Sequence, residues 1–214
     1  MIIGLPKETK DQELRVGITP AGVNTLIKSG NRVLVQKNAG VGSGISDDSY
    51  IQVGAELVKT PETLFSSSDL IVKVKEFQIH ECELLRPGLT TFSFLSLGIN
   101  PKLAQALMQS EVTAIAYETI ELKDGSLPIL KPMSALTGRL AIDVATHYLK
   151  SPQGGSGKLL SGISGAEPVR VAIIGAGVAG VHAAELALNM GAKVTVLSRG
   201  GKRLEELKQG LNNH

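Results

Sequence analysis

The sequence predicts an α/β protein built on parallel sheets, and three observations support this. Short runs rich in β-branched residues alternate with helical patterns almost from the first residue. One of these runs, residues 70–74, begins with uninterrupted apolar residues, as buried parallel strands do. Near the end of the chain, a glycine-rich turn separates an apolar run from a helical pattern. Strands that alternate with helices imply crossover connections and therefore parallel pairing.

The first part of the chain contains a regular series of such elements. The predicted strands are residues 2–5, 32–36, 70–74, 89–95 and 112–116, and the predicted helices are residues 20–29, 48–54 and 101–110. Thr19 suits the N-cap of the first helix, Pro20 its first position and Gly30 its end. A glycine-rich loop is predicted at residues 38–47. We predict that residues 1–130 form a Rossmann-like N-terminal substrate domain.

The longest helical pattern covers residues 134–150. Its apolar side chains recur at a spacing of four and share one helix face: Leu136, Leu140, Val144 and Tyr148. Residues 151–165 are rich in Gly, Ser and Pro, as a domain junction is. We therefore predict that residues 131–168 form an inter-domain helix and linker, and that a second domain occupies residues 169–214.

The second domain opens with a dinucleotide-binding motif. The run 171–180 reads Val-Ala-Ile-Ile-Gly175-Ala-Gly177-Val178-Ala179-Gly180, and the next apolar run ends at Leu197. Gly175 permits the tight turn, Gly177 lets the backbone approach a pyrophosphate, and Gly180 lets the helix pack on the strand. Unpaired N–H groups of the helix N-terminus then face the phosphates. We predict the first βαβ unit of a Rossmann domain, with Gly175, Gly177, Val178, Ala179 and Gly180 at the cofactor.

The sequence given ends at His214, after one further predicted helix at residues 202–209. A doubly wound domain needs more strands, so we expect an apolar edge and face of its sheet to need covering. Another chain or a swapped copy of this one would cover them. Alternatively, the missing strands have been removed by truncation or belong to another polypeptide. These alternatives stay open.

Composition excludes several classes of function. The net charge is +2, from 22 basic and 20 acidic residues that are evenly mixed, and aromatic residues make up 3% of the chain. We therefore expect no nucleic-acid or membrane partner. The N-terminus lacks the layout of a signal peptide, and the single cysteine, Cys82, suits a reducing compartment, so we expect a cytoplasmic location. Acidic neighbours oppose a reactive Cys82 thiolate, and no histidine spacing indicates a metal site.

Two cations follow predicted strands, where ligands bind in open α/β sheets. Arg15 lies in Glu-Leu-Arg-Val-Gly-Ile-Thr-Pro, and Lys75 follows the apolar run 70–74. A guanidinium binds a carboxylate through two hydrogen bonds, and an ammonium polarises a carbonyl as a point charge. Together they suit a small 2-oxo acid. The alternative is that each is a solvated surface cation.

These segments resemble the alanine dehydrogenase and nicotinamide nucleotide transhydrogenase family. The resemblance covers essentially the whole chain and is carried by Ile-Gly-Leu-Pro-Lys-Glu, Arg15-Val-Gly-Ile-Thr-Pro, Val-Lys-Val-Lys75-Glu, Ala-Tyr117-Glu-Thr, Leu-Pro-Ile-Leu-Lys-Pro-Met133-Ser134, Gln153-Gly-Gly and Ile-Ile-Gly-Ala-Gly. The Tyr-Glu-Thr and Pro-Met-Ser segments favour the alanine dehydrogenase branch.

The resemblance implies an oligomeric, cytoplasmic oxidoreductase that interconverts L-alanine with pyruvate and ammonia, using NAD. It places Arg15, Lys75 and Met133 at the substrate, with Lys75 as a catalytic group. It places Ser134 and the motif glycines at the cofactor.

The chain also departs from the family pattern. Ser96 stands where the family carries its catalytic histidine, and a serine has no proton affinity near neutral pH. The family's later aspartate lies beyond the sequence given. Whether the chain is active by itself therefore stays open. The alternatives to an enzyme are a catalytically impaired binding module and one subunit of a split, transhydrogenase-like assembly.

Cofactor choice depends on the end of the second strand of this unit. An acidic residue there normally binds the ribose 2′-hydroxyl of NAD, whereas this chain has Ser198 and Arg199. A hydroxyl and a guanidinium suit the 2′-phosphate of NADP. NAD is what the resemblance implies, and Ser198 and Arg199 lean toward NADP.

Overall fold

The computed structural model describes residues 1–200 of the chain. They form two compact units, one of Met1–Ile120 and one that begins at Glu121. Each unit has its own parallel sheet. The α/β fold with parallel sheets is therefore as predicted. The division of the chain into a substrate domain (1–130), an inter-domain helix and linker (131–168) and a dinucleotide-binding domain (169–214) stays a prediction. The helix predicted at residues 202–209 lies outside the described residues.

The first unit is an open sheet with helical crossovers. Its strands are β1 (Ile2–Leu5), β2 (Arg32–Gln36), β3 (Glu56–Val58), β4 (Leu70–Val72), β5 (Thr90–Ser93) and β6 (Thr113–Ala116), and its helices are α1 (Pro20–Lys28), α2 (Asp47–Gln52), α3 (Pro61–Ser67) and α4 (Pro101–Gln109). The strand order is β3-β2-β1-β4-β5-β6, and all pairs are parallel. The order reverses between β1 and β4, which makes their carboxyl ends the switch point where open sheets bind ligands.

Most of the predicted elements of this unit are present. β1 and β2 have the predicted bounds, and α1 and α4 each end one residue earlier than predicted. β4 ends at Val72 and β5 at Ser93, earlier than predicted. β3 and α3 were missed because a strand of three residues and a helix of seven are too short to show a clear period.

The core of this unit lies on both faces of the sheet. On one face Ile3, Leu5, Val33 and Val35 pack with the buried ring of Tyr50. The Tyr50 hydroxyl donates a 2.8 Å hydrogen bond to the carbonyl oxygen of Ile18. The opposite face buries a second cluster that includes Leu64, Phe65, Ile71, Leu89 and Leu103. Each fully buried large side chain stabilises the fold by about 1.5–3 kcal/mol, so the sheet is a firm platform for the loops at its edge.

The second unit contains α5 (Leu130–Tyr148), β7 (Arg170–Ile174), α6 (Val178–Asn189) and β8 (Lys193–Leu197). β7 and β8 pair in parallel over all five residues, which is the predicted βαβ arrangement. α5 begins four residues before the prediction, with Pro132 in its first turn, where a missing N–H costs nothing.

The apolar face predicted on α5 is exposed. Leu136, Leu140, Val144 and Tyr148 are each at least half exposed. α5 also carries charged residues, among them Lys131, Arg139 and Asp143. None of the helices within residues 1–200 is long and apolar enough to cross a membrane.

Candidate functional site

Arg15 lies in the loop that follows β1. Glu13 holds it: one carboxylate oxygen accepts from the Arg15 main-chain N–H at 2.9 Å and from Nε at 2.8 Å, and the other accepts from Nη2 at 2.7 Å. This pairing lowers the pKa of Glu13 to about 2 and raises that of Arg15. The paired Glu13 carboxylate therefore orients the guanidinium plane of Arg15.

The same loop lies against the end of β4. A Cβ atom on Gly17 would stand 2.9 Å from the main-chain oxygen of Val72, so only a glycine lets the two segments approach this closely. Since Lys75 follows β4 by three residues, the loop contact brings the Arg15 segment to the segment that carries Lys75.

The charges of the two segments also influence each other. The Lys75 ammonium contributes to the lowered pKa of Glu13, the ion-pair partner of Arg15, and to that of Glu76. Glu76 is itself paired with Lys10. Lys75 is half-buried rather than a fully solvated surface cation. Arg15 and Lys75 thus both act on the charge of the same Glu13 carboxylate.

Ser96 lies in the loop after β5, in the left-handed region at φ 50°. Glu118 fixes this loop, because one of its carboxylate oxygens accepts from the Ser96 N–H at 2.7 Å and from the Leu95 N–H at 3.1 Å. Sequence reasoning missed this role of Glu118, whose spacing from Ser96 carries no local pattern. Ser96 is exposed.

Aromatic side chains support the same edge. The ring of Tyr117 meets Phe92 edge-on at 4.3 Å and Phe94 at 5.2 Å between centroids. Burial and the nearby Glu8 carboxylate raise the pKa of Tyr117, so its hydroxyl stays protonated near neutral pH. Sequence reasoning quoted Tyr117 only as part of a family segment and missed its packing.

A buried charged cluster was also missed. Lys73 is fully buried, with Glu81 at 2.5 Å and Glu8 at 3.7 Å from its ammonium nitrogen. The one available signal was a lysine inside an apolar run, which usually marks an exposed strand face. Cys82 lies beside this cluster, and burial followed by the Glu81 charge raises its pKa, in the predicted direction.

In the second unit the glycine turn has the geometry that the motif predicts. Gly175 has φ 112°, which only a glycine adopts easily. A Cβ atom on Gly180 would stand 1.9 Å from the Gly175 carbonyl oxygen, so this glycine permits the close packing of α6 on the turn. Gly177 precedes α6, and the space around it is open. Val178 and Ala179 lie in the first turn of α6, and the first N–H groups of a helix have no acceptor within the helix.

The turn forms one wall of a groove of about 720 Å³. Its other wall is the end of β8, so that Ser198 and Arg199 face the same space as Gly175 and Gly177. An open cradle of backbone N–H groups beside a cation fits the diphosphate of a dinucleotide.

Met133 and Ser134 lie in the first turns of α5. Four residues after Ser134, Gly138 packs against the glycine turn: a Cβ atom there would stand 2.1 Å from the Ala179 carbonyl oxygen. Residues four apart share a helix face, so Ser134 lies on the α5 face that meets the start of α6. The Met133 carbonyl accepts a 2.9 Å hydrogen bond from the Thr137 hydroxyl.

No group of three or more His, Cys, Asp or Glu side chains within residues 1–200 is arranged to hold a metal ion.

A six-stranded parallel sheet, followed by a βαβ unit with a glycine turn at a helix N-terminus, defines an α/β protein of the dinucleotide-binding type. Residues 4–137 match the family described as "Alanine dehydrogenase/PNT, N-terminal domain", and residues 141–214 match "Alanine dehydrogenase/PNT, C-terminal domain". The chain belongs to the alanine dehydrogenase/PNT family.

Individual relatives agree with this assignment. The chain is 45% identical over 213 residues to an alanine dehydrogenase of Methanococcus maripaludis and 44% identical over 207 residues to one of Bacillus subtilis. These alignments cover 100% and 97% of this chain but 57% and 54% of the relatives. A solved L-alanine dehydrogenase structure superposes with a TM-score of 0.91 at 41% identity, covering 99% of this chain and 58% of that one. The chain thus spans little more than half the length of the relatives it matches.

Proposed function

We propose that this chain carries the oxo-acid site and the first half of the nucleotide site of an alanine dehydrogenase, which interconverts L-alanine with pyruvate and ammonia. The observation that carries the proposal is the position of Arg15 and Lys75. They follow the two neighbouring strands, β1 and β4, between which the sheet order reverses. A small anion with a carbonyl group matches one guanidinium and one ammonium at that point.

Arg15 binds the substrate carboxylate through its planar guanidinium, whose orientation Glu13 sets. Lys75 polarises the keto oxygen of pyruvate and so favours attack of ammonia on the carbonyl carbon. Holding the carboxylate and the carbonyl at the same time fixes the substrate α-carbon in one orientation. Met133 lines the substrate in this proposal, on the family resemblance.

A bound nicotinamide dinucleotide supplies hydride exchange with the α-carbon. Gly175 and Gly177, which line the groove, would hold it together with the neighbouring first turn of α6, where Val178 and Ala179 offer N–H groups and Gly180 lets the helix pack on the turn. Ser134 approaches from α5. NAD is the cofactor that the family resemblance implies, and Ser198 and Arg199 lean toward the 2′-phosphate of NADP.

Ser96 occupies the position of the family's histidine in this proposal. A serine hydroxyl does not exchange protons near neutral pH by itself, so its contribution is limited to hydrogen bonding. We further propose that the chain acts as a homo-oligomer or with a completing polypeptide, and the exposed apolar face of α5 supports this. A cytoplasmic location stays a prediction.

Pyruvate binding, measured by isothermal titration calorimetry, tests the oxo-acid site. We expect Arg15→Ala to weaken binding by about 1.5–3 kcal/mol, the size of a charge-assisted contact. Arg32→Ala is the matched control, because Arg32 also binds a glutamate through two hydrogen bonds, to Glu56, away from the switch point. Equal affinity of the wild-type chain and the Arg15→Ala variant would refute the assigned site.

A further inference from the structure

The main chain between β4 and Lys75 is held by a side chain from the loop that follows β1, the other central strand. β1 ends at Leu5 and is followed by Pro6, which has no N–H group, so its backbone ladder stops there. Glu8 then folds back. One of its carboxylate oxygens accepts from the Val74 N–H at 2.7 Å, and the other accepts from the Lys75 N–H at 3.4 Å.

We propose that Glu8 is a positioning residue for Lys75, which fixes the main chain from which the Lys75 ammonium reaches the oxo acid. This inference rests on the proposed function, because it concerns the same site. Glu8 acts through Lys75 and is not itself assigned a contact with the substrate.

The setting of Glu8 makes this link rigid. Its side chain is 2% exposed. Its second oxygen also faces the fully buried Lys73 ammonium at 3.7 Å, and Lys73 is bound in turn by Glu81 at 2.5 Å. Glu81 accepts a 2.8 Å hydrogen bond from the Gln78 N–H, so the network holds the chain on both sides of Lys75.

The groups that face Glu8 come from several elements. Lys73 attracts its charge and Glu81 repels it, while Glu8 in turn raises the pKa values of Arg15 and Tyr117. Burial is the largest effect and raises the pKa of Glu8 above its ordinary value of 4.5. Protonation would place an O–H group where two N–H donors need acceptors, so the positioned state is the ionised one.

Positioning and simple electrostatics predict opposite results for one substitution. Glu8→Gln removes a negative charge near Arg15, so electrostatics alone predicts tighter binding of an anion. Positioning predicts weaker binding, because the amide group of Gln would present its own N–H donors to the Lys75 N–H or to Lys73. Glu8→Asp retains the charge but shortens the reach, so electrostatics alone predicts no change and positioning again predicts a loss.

The experiment measures pyruvate affinity by calorimetry and the main-chain amide signals of Val74 and Lys75 by ¹⁵N NMR. We expect Glu8→Gln and Glu8→Asp to bind pyruvate about tenfold more weakly or worse, with both amide proton signals shifted upfield as the carboxylate contact is lost. Glu56→Gln is the matched control, because Glu56 is an exposed carboxylate on β3 whose partner is Arg32, and it should leave the affinity unchanged. Unchanged or tighter pyruvate binding in folded Glu8→Gln would overturn the proposal.

Failure of the proposed function gives a different result. If the wild-type chain bound no pyruvate, the oxo-acid site would be refuted, while unchanged Val74 and Lys75 amide signals in Glu8→Gln would still refute positioning. If both variants failed to fold, a pH titration of the wild-type chain would decide. We expect the two amides to shift together with the Glu8 carboxyl carbon, with a midpoint above pH 4.5, and amides that do not follow Glu8 would overturn the proposal.

Discussion

Two glycines of the motif, Gly177 just before α6 and Gly180 in its first turn, should respond differently to the same substitution. Gly180→Ala places a methyl group 1.9 Å from the Gly175 carbonyl oxygen, against an ordinary contact of 3.4 Å or more. Gly177→Ala places one in open space at φ −75°, which alanine adopts without strain. We therefore expect the first variant to lose stability and the second to lose nucleotide binding only.

The loss of stability in each variant depends on whether the backbone around the added methyl group is able to move. Gly175 cannot retreat easily, because its N–H donates a 2.7 Å hydrogen bond to the Leu197 carbonyl in β8. Relief of an overlap of about 1.5 Å must push α6 away from the turn, at a cost of about 1–3 kcal/mol or more. For Gly177→Ala, the lost backbone freedom of the unfolded chain and the poorer N-cap nearly cancel, so stability should change by less than about 1 kcal/mol.

Hydrogen exchange, followed by mass spectrometry on peptides from β7 and α6, reports stability in this unit separately from the first. Nucleotide fluorescence reports binding of NADH or NADPH. Gly180→Ala should exchange faster throughout β7 and α6, whereas Gly177→Ala should exchange like the wild type and bind nucleotide about tenfold more weakly or worse. Faster exchange in Gly177→Ala than in Gly180→Ala, or undiminished nucleotide binding by Gly177→Ala, would refute this reading of the turn.

Four further results are expected. Lys73→Met leaves Glu8 and Glu81 buried without their cation, so it should lower the free energy of unfolding, measured in urea, by about 3–5 kcal/mol. The control Lys10→Met breaks a partly exposed ion pair and should lower it by about 1 kcal/mol or less. Equal losses in the two variants would contradict the buried network. Because pairing with Arg15 lowers the pKa of Glu13 to about 2, the ion pair should contribute its full stability above pH 4.5 and lose it as the pH falls toward 2. In a ¹³C NMR titration of the Glu13 carboxyl carbon, Arg15→Ala should move the midpoint back toward 4.5. A midpoint that does not move would contradict the pairing. If Ser198 and Arg199 set the cofactor preference, NADPH should bind more tightly than NADH, and Arg199→Ala should remove the difference. Tighter NADH binding by the wild type would refute the NADP hypothesis and leave NAD, the cofactor that the resemblance implies. Ser96→His should raise the turnover of pyruvate and ammonia, because histidine exchanges protons near neutral pH and tolerates the left-handed backbone of this position. No gain would mean that turnover is limited by something other than residue 96.

The sequence was sufficient to predict the elements with a clear period. β1 and β2 are apolar runs bounded by turn residues, and their bounds agree with the structure. The turn at Gly175 was predictable because each glycine has a separate geometric reason. β3, of three residues, was not predictable, because its pairing with β2 and not its own composition stabilises it.

The candidate site was predictable only in part. Arg15 and Lys75 stand out because they follow strands. The carboxylate partners of these cations could not be predicted, because no sequence pattern determines which of several nearby glutamates folds back onto the main chain. Glu13 binds the guanidinium two residues away, whereas Glu8 reaches Val74 across the sheet. Lys73 was not singled out in the sequence, and its burial between Glu8 and Glu81 is what reveals a structural role.

The most direct test of the oxo-acid site is a residue-resolved ¹⁵N NMR titration of the 214-residue chain with pyruvate, and with propionate as a carboxylate that lacks the keto oxygen. We expect saturable shifts of the amides of Arg15 and Lys75, with tighter binding of pyruvate than of propionate, because Lys75 polarises the keto group. Absence of saturable shifts at these residues, or equal affinity for the two acids, would contradict the proposed function.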